Sequence, residues 1–215
     1  MKIKWLGHAA FVITSDNGTR IITDPYTPQG GLSYGRIDEP AHIVTTTHGH
    51  FDHNNVSAVS GKPEVIRGAV SKEVRGVRIK GIPAFHDTSG GRQRGEIIIF
   101  TLVVDGIAVC HLGDIGHPLT REQMSEIGKV DVLLIPVGGY YTVEPPVATQ
   151  ICSDLSPRVI IPMHFKTPKT DLPIAGVEDF LRGKTNVRRL AVSEVEFKLD
   201  GLPARTEILV LTPAL

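Results

Sequence analysis

Between Thr47 and His53 the chain reads Thr-His-Gly-His-Phe-Asp-His, which places four side chains able to bind a metal, His48, His50, Asp52 and His53, within six residues. In extended chain alternate side chains face the same way, so His48 and His50 project together, while Asp52 and His53 follow where the chain turns. Imidazole nitrogen and carboxylate oxygen suit zinc, manganese or iron. Following a buried strand, four such groups would be costly to leave unsatisfied, and a metal or solvent must answer them. Two adjacent metals need more ligands than this loop supplies, including a bridging group, so further donors must come from elsewhere in the chain.

Three candidates stand just beyond apolar runs: His86 in IPAFHDTSGG, Asp114 in CHLGDIG and His164 in IIPMHF. Loops at strand ends are where such scaffolds carry their chemistry. Taken singly, each of the three also fits an ordinary satisfied core or turn residue, and Asp24, ahead of Pro25, fits a turn carboxylate. Covalent chemistry has no comparable support. Neither Cys110 nor Cys152 is one of the candidate donors, and the G-x-S-x-G at Gly31-Leu32-Ser33-Tyr34-Gly35 lacks the apolar strand before it and the helix after it that a nucleophile elbow requires.

The elements that must position these residues follow from periodicity. KIKWL, AFVIT and RIIT alternate as short strands separated by Gly7-His8 and Asp16-Asn17-Gly18, which predicts an antiparallel meander. AHIVTTT is a buried strand running into His48, NNVSAVS can open a helix, and EVI and VRIKGI precede His86. EIIIFTLVV and IAVCHLG form a hairpin about Asp105-Gly106, a pair that tolerates the positive φ of a tight turn. From Thr120 the pattern becomes α/β. TREQMSEIG is a helix capped by Thr120 and ended by Gly128, VDVLLIP a strand, PPVATQICSDL a helix begun on prolines, RVIIPMH a strand and GVEDFLRG a short helix. RRLAV, EVEFKL and TEILVLT alternate as strands again. Strands then helices, repeated once without a linker, predict two packed sheets with helices outside, a four-layer αββα sandwich forming a single α/β domain over residues 1–215.

The H-x-H-x-D-H run resembles the signature of the metallo-β-lactamase superfamily. Thr23-Asp24-Pro25, His86, His111-Leu112-Gly113-Asp114 and Pro162-Met163-His164 resemble its remaining motifs in order. WLGHAAF and IPVGGYYT resemble its small single-domain branch of metal-dependent hydrolases, related to ascorbate-6-phosphate lactonase. The resemblance implies the metallo-β-lactamase fold and a dinuclear site. His48, His50 and His86 would hold one metal, Asp52, His53 and His164 the other, and Asp114 would bridge them. Asp24 would accept the free N–H of a ligand imidazole, fixing its tautomer. Asp52 would also be catalytic, orienting the hydroxide. His8, His111, Tyr140 and Tyr141 would stand near the cleft, with His8 and Tyr140 as substrate contacts and Arg92, in SGGRQRG, as an anion clamp. His42 and His117 are expected to be surface or packing residues.

Composition narrows the function. The 23 basic and 23 acidic residues balance, so no global field draws the protein to nucleic acid or to an anionic membrane. Two cysteines in apolar runs suggest reduced core thiols and a cytoplasmic protein; the N-terminus alternates like a strand rather than a signal peptide, and no apolar run approaches membrane-spanning length. The expected cofactors are two divalent cations, zinc first, with manganese or iron possible for the same donors. Cations held ~3.5–4 Å apart lower the pKa of a shared water toward ~7. The expected activity is hydrolysis of a small ester, lactone or phosphorylated metabolite. The alternatives are a phosphodiesterase or nuclease, against which neutral charge speaks, and a non-hydrolytic metal-binding or redox protein.

Overall fold

The alternating runs at the start of the chain become strands buried on both faces. In the computed structural model, which describes residues 1–215, β1 (Lys2–Gly7), β2 (Ala10–Thr14) and β3 (Arg20–Thr23) form the antiparallel meander, and β4 (Pro40–Thr45) and β5 (Ser60–Ile66) join it in parallel. β6 (Ser71–Val74), β7 (Val77–Phe85), β8 (Glu96–Val104) and β9 (Ile107–His111) run antiparallel in a second sheet. The chain continues through α1 (Arg121–Ile127), β10 (Val132–Pro136), α2 (Pro145–Leu155), β11 (Val159–Met163), α3 (Val177–Leu181), β12 (Val187–Arg189), β13 (Glu194–Glu196) and β14 (Glu207–Val210). One sheet has the order β13-β1-β2-β3-β4-β5, the other β12-β14-β11-β10-β9-β8-β7-β6.

Period-two alternation builds the layers. Ile3, Trp5, Phe11, Ile13, Ile21 and Ile43 enter the large core shared with the second sheet, whereas Leu6, Ala10, Val12, Ile22 and Val44 face the opposite way. That outer face is closed by Tyr26, Tyr34 and Ile37 from the loop after β3 and by Leu215 at the chain's end. Helices cover the other sheet, with α1 against β7 and α2 against β10 and α3. The α/β sandwich is the expected one, with coil doing the work of a helix on one outer face.

Local signals explain most boundaries. Asp105 (φ 51°) and Gly106 (φ 77°) both take positive φ, as a two-residue hairpin turn requires. Thr120 accepts from Gln123 N while the Gln123 side chain returns to Thr120 N, a reciprocal cap for α1. The helix expected in NNVSAVS is instead a single 3-10 turn, Val56–Ala58. Its β-branched residues favour extended chain, and by Ser60 the backbone is already pairing with β4. β6, with the polar sequence SKEV, is an exposed edge strand that carries no apolar alternation to announce it. No helix is long and apolar enough to cross a membrane.

Candidate metal centre

Four strands deliver the candidate ligands from their C-terminal ends: β4 leads into His48–His53, β7 into His86, β9 through Leu112-Gly113 into Asp114, and β11 into His164. β3 ends at Thr23, immediately before Asp24. Backbone bonds join the two sheets beside them, Ile98 N to Thr47 O at 2.9 Å and His164 N to His8 O at 3.1 Å. Two glycines let the Asp114 loop lie between its neighbours. A Cβ on Gly113 would fall 2.8 Å from Thr47 Cβ, and one on Gly116 would fall 2.3 Å from both Asp87 N and the carbonyl carbon of His86.

All seven residues expected as ligands come together around Asp114. Its Oδ2 lies 3.2 Å from His53 Nε2, 3.3 Å from His86 Nε2, 3.3 Å from His164 Nε2 and 4.0 Å from His48 Nε2. His48 Nε2 and His50 Nδ1 are 3.0 Å apart, and Asp52 Oδ2 is 3.6 Å from His53 Nε2. Three groups have their donor atoms within 4.8 Å of one another: His48, His50 and His86; Asp52, His53 and His164, joined by His8; and Asp24 with His48 and His53, which links the first two. Asp114 Oδ1, His53 Nε2, His86 Nδ1 and His164 Nδ1 are buried without a hydrogen-bond partner. Buried polar atoms left in that state are costly, and cations among these donors would satisfy the carboxylate oxygen and the free imidazole nitrogen together, so the residues fit a metal.

The electrostatics are correspondingly uneven. Burial and the neighbouring His53 push His48 down to about 3. Burial also opposes charge on His53, but Asp114 and Asp52 outweigh it and hold His53 well above the ordinary imidazole value. Asp114 is held well below the carboxylate range, because His164 and His53 overcome the cost of its burial. Asp24, fully buried, accepts from Thr47 N at 2.7 Å, Thr47 Oγ1 at 2.6 Å and His53 Nδ1 at 2.8 Å. Fixing Nδ1 as the donor turns Nε2 of His53 toward Asp114. Asp24, His8 and His164 have φ of 39°, 50° and 49°, so three of the chain's seven non-glycine residues with positive φ stand at this site.

Residues 2–164 match the model of the beta-lactamase superfamily domain. The crystal structure of a Thermotoga maritima protein assigned as a Zn-dependent hydrolase of the metallo-beta-lactamase superfamily superposes with a TM-score of 0.81 and 38% identity, covering 98% of this chain and 97% of that one. The chain belongs to the metallo-β-lactamase superfamily. Similar sequences within it include a UPF0173 metal-dependent hydrolase of Methanoculleus marisnigri, 30% identical across 78% of this chain and 82% of that protein. Another, from Methanoregula boonei, is 29% identical across 78% and 83%. They place this superfamily member in the small metal-dependent hydrolase branch.

Beside the ligand cluster of this superfamily member opens a cavity of about 360 Å³. His50, Asp52, His86, Asp114 and His164 line it, and Gly30, Phe51, Leu172, Tyr141 and Arg94 complete the wall. The three expected substrate contacts are placed differently. His8 is 1% exposed and lies behind Asp52, its Nε2 hydrogen-bonded to Asp52 Oδ2 at 3.1 Å and its ring 4.0 Å from that of His164. Burial and His164 push its pKa down to about 4. Tyr140 is 57% exposed and outside the cavity wall, where Tyr141 stands instead. Arg92 is exposed and donates through Nε to Ser89 O at 2.9 Å, while Arg94 faces the cavity. The cause is Asp87, missed in the sequence, whose carboxylate accepts from Ser89 N and Oγ, Gly91 N, Gln93 N and Arg94 N and so sets the course of the loop. An Asp followed two residues later by Ser and then by Gly-Gly is the signal that announces such a turn.

The remaining singled-out residues are structural. His111 is buried and joins Ala9 O at 2.9 Å to Gly113 N at 3.2 Å, tying the turn between β1 and β2 to the Asp114 loop. His42 accepts from Arg20 N, and His117 from Phe85 N. Cys110 and Cys152 are buried and unpaired, with burial pushing the Cys152 thiol up to about 12.

Proposed function

We propose that this superfamily member is a metal-dependent hydrolase in which His48, His50 and His86 hold one divalent cation, Asp52, His53 and His164 a second, and Asp114 bridges the pair. The observation that carries this is the position of Asp114 Oδ2, with imidazole nitrogens from three separate loops 3.2 to 3.3 Å away and the companion oxygen buried and unpaired. A carboxylate so surrounded suits a ligand shared between cations. Zinc fits this donor set first, and manganese and iron accept the same atoms. Cations bound there would supply Lewis acidity and make water a nucleophile near neutral pH.

The chain's own residues prepare that chemistry. Asp24 fixes the tautomer of His53, and His8 holds one oxygen of Asp52. Asp52 also lines the cavity, where it would orient the attacking water and accept its proton. A cavity of about 360 Å³ suits a small molecule, and a small ester, lactone or phosphorylated metabolite is the substrate we assign. The balanced charge supports a small-molecule substrate over a nucleic-acid or membrane partner, and the free, buried Cys110 and Cys152 support a cytoplasmic protein. The test is metal analysis joined to assays on a chromogenic ester, a lactone and a bis-aryl phosphate. The purified protein should carry close to two metal equivalents, and Asp114→Ala should lose at least one together with hydrolysis. A protein that binds no metal in any form tried, or an Asp114→Ala variant with full metal content and rate, would overturn the proposal.

A further inference from the structure

Arg94 is the one arginine or lysine on the cavity wall. Like several other arginines its guanidinium has no carboxylate partner, but unlike them it stands on the cavity wall and rests over the Tyr141 ring, 5.6 Å from its centre. Its backbone is nonetheless fixed. Arg94 N donates to Asp87 Oδ2 at 2.8 Å, and His86 N donates to Gly95 O at 3.0 Å, which ties the base of the arginine's loop directly to a candidate metal ligand. A guanidinium pre-positioned by its backbone and by an aromatic face, without an internal counter-ion, is suited to bind an oxyanion supplied from outside.

The surroundings favour the same kind of ligand. Phe51, 40% exposed, and Leu172 form an apolar side of the cavity. A second cavity of about 220 Å³ shares His86, Arg94 and Tyr141 with the first, so Arg94 stands at their junction with room on both sides. Two dications would also offset the charges of Asp24, Asp52 and Asp114, so the loaded centre would not repel an anionic ligand. We infer that Arg94 is the specificity-determining residue of the cavity and that the substrate carries a carboxylate or phosphate bound by it, with an apolar segment against Phe51 and Leu172. The inference deepens the hydrolase proposed above and rests on it for the reaction, in which water cleaves the ester to an acid and an alcohol.

The metal-loaded protein would be assayed on three activated esters of matched length: a neutral 4-nitrophenyl alkanoate, one ending in a free carboxylate, and one ending in a phosphonate. Wild type should favour at least one anionic ester over the neutral one by at least about tenfold in kcat/KM, as expected for a charge-assisted hydrogen bond. The preferred anion distinguishes the carboxylate from the phosphate source. Arg94→Gln should lose the preference through KM with unchanged metal content, and Arg94→Lys should recover part of it. A preference that survives in Arg94→Gln, or that vanishes in Arg92→Gln instead, overturns the inference. If wild type cleaves none of the esters, the hydrolytic proposal fails for this class, and Arg94 is judged by calorimetric binding of benzenesulfonate against methyl phenyl sulfone. The sulfonate should bind, and should bind at least about tenfold more weakly to Arg94→Gln; equal binding to both proteins, or none to wild type, overturns the inference.

Discussion

Asp24 receives two hydrogen bonds from Thr47 and one from His53, so replacing it with Asn turns one acceptor into a donor facing donors. Asp24→Asn should therefore release the His53 ring and weaken metal binding by about 10–100-fold while the protein stays folded. Competition with a chromogenic chelator reads this directly, and unchanged affinity would count against the arrangement. His8 makes a different demand. It supports Asp52 without lining the cavity, so His8→Ala should lower kcat by about tenfold or more and leave KM nearly unmoved. A rise in KM alone would return His8 to the role of substrate contact. At this scale the candidate donors His48, His50, Asp52 and His53 were legible because they stand within six residues, whereas His86, Asp114 and His164, ambiguous singly after their apolar runs, were joined to them by the resemblance. Arg94 and Tyr141 were not legible, since nothing local separates them from Arg92 and Tyr140; the turn imposed by Asp87 does.

Elements whose capping or turn chemistry is explicit appeared where the sequence placed them, notably the Asp105-Gly106 hairpin, the Thr120-capped α1 and the proline-led α2. Those that depend on pairing did not. β6 is visible only as the edge partner of β7, and the segment around Val56 yields to β5 after one turn. The loop between β7 and β8 is an element of the second kind, held by a single carboxylate. Hydrogen bonds from Ser89 and from the backbone of Arg94 and Gln93 keep the Asp87 carboxyl below the ordinary range. A depressed folded value means that the order it provides is complete above the ordinary carboxylate pKa of about 3.9 and is lost only as pH falls through the lower folded one. The Gln93 and Arg94 amide resonances should hold their positions from neutrality to about pH 4 and move only in stronger acid. Movement centred above that would show that Asp87 does not govern the loop, and in Asp87→Asn the same amides should be disordered at every pH.

Candidate ligands arrive at the centre from both sheets, His48–His53 after β4 and His86, Asp114 and His164 after β7, β9 and β11. The strand order that achieves this was beyond reach of local pattern, because β13 pairs with β1 nearly two hundred residues away and β14 inserts between β12 and β11. With the chain's last strands divided between the sheets, we expect one cooperative unfolding unit, and cations at the shared edge should act as cross-links between its halves. Each cation bound to the folded state alone stabilises it by about 2.7 kcal/mol when free metal is a hundredfold above its Kd. For a protein of this size the Tm should therefore stand at least roughly 5–10 °C above that of the chelated form, the amount one cation supplies. Calorimetry should show a single transition that falls by at least this amount on chelation and returns when metal is restored. Two separate transitions would mean that the sheets unfold independently, and an unmoved midpoint would mean that the centre does not couple them.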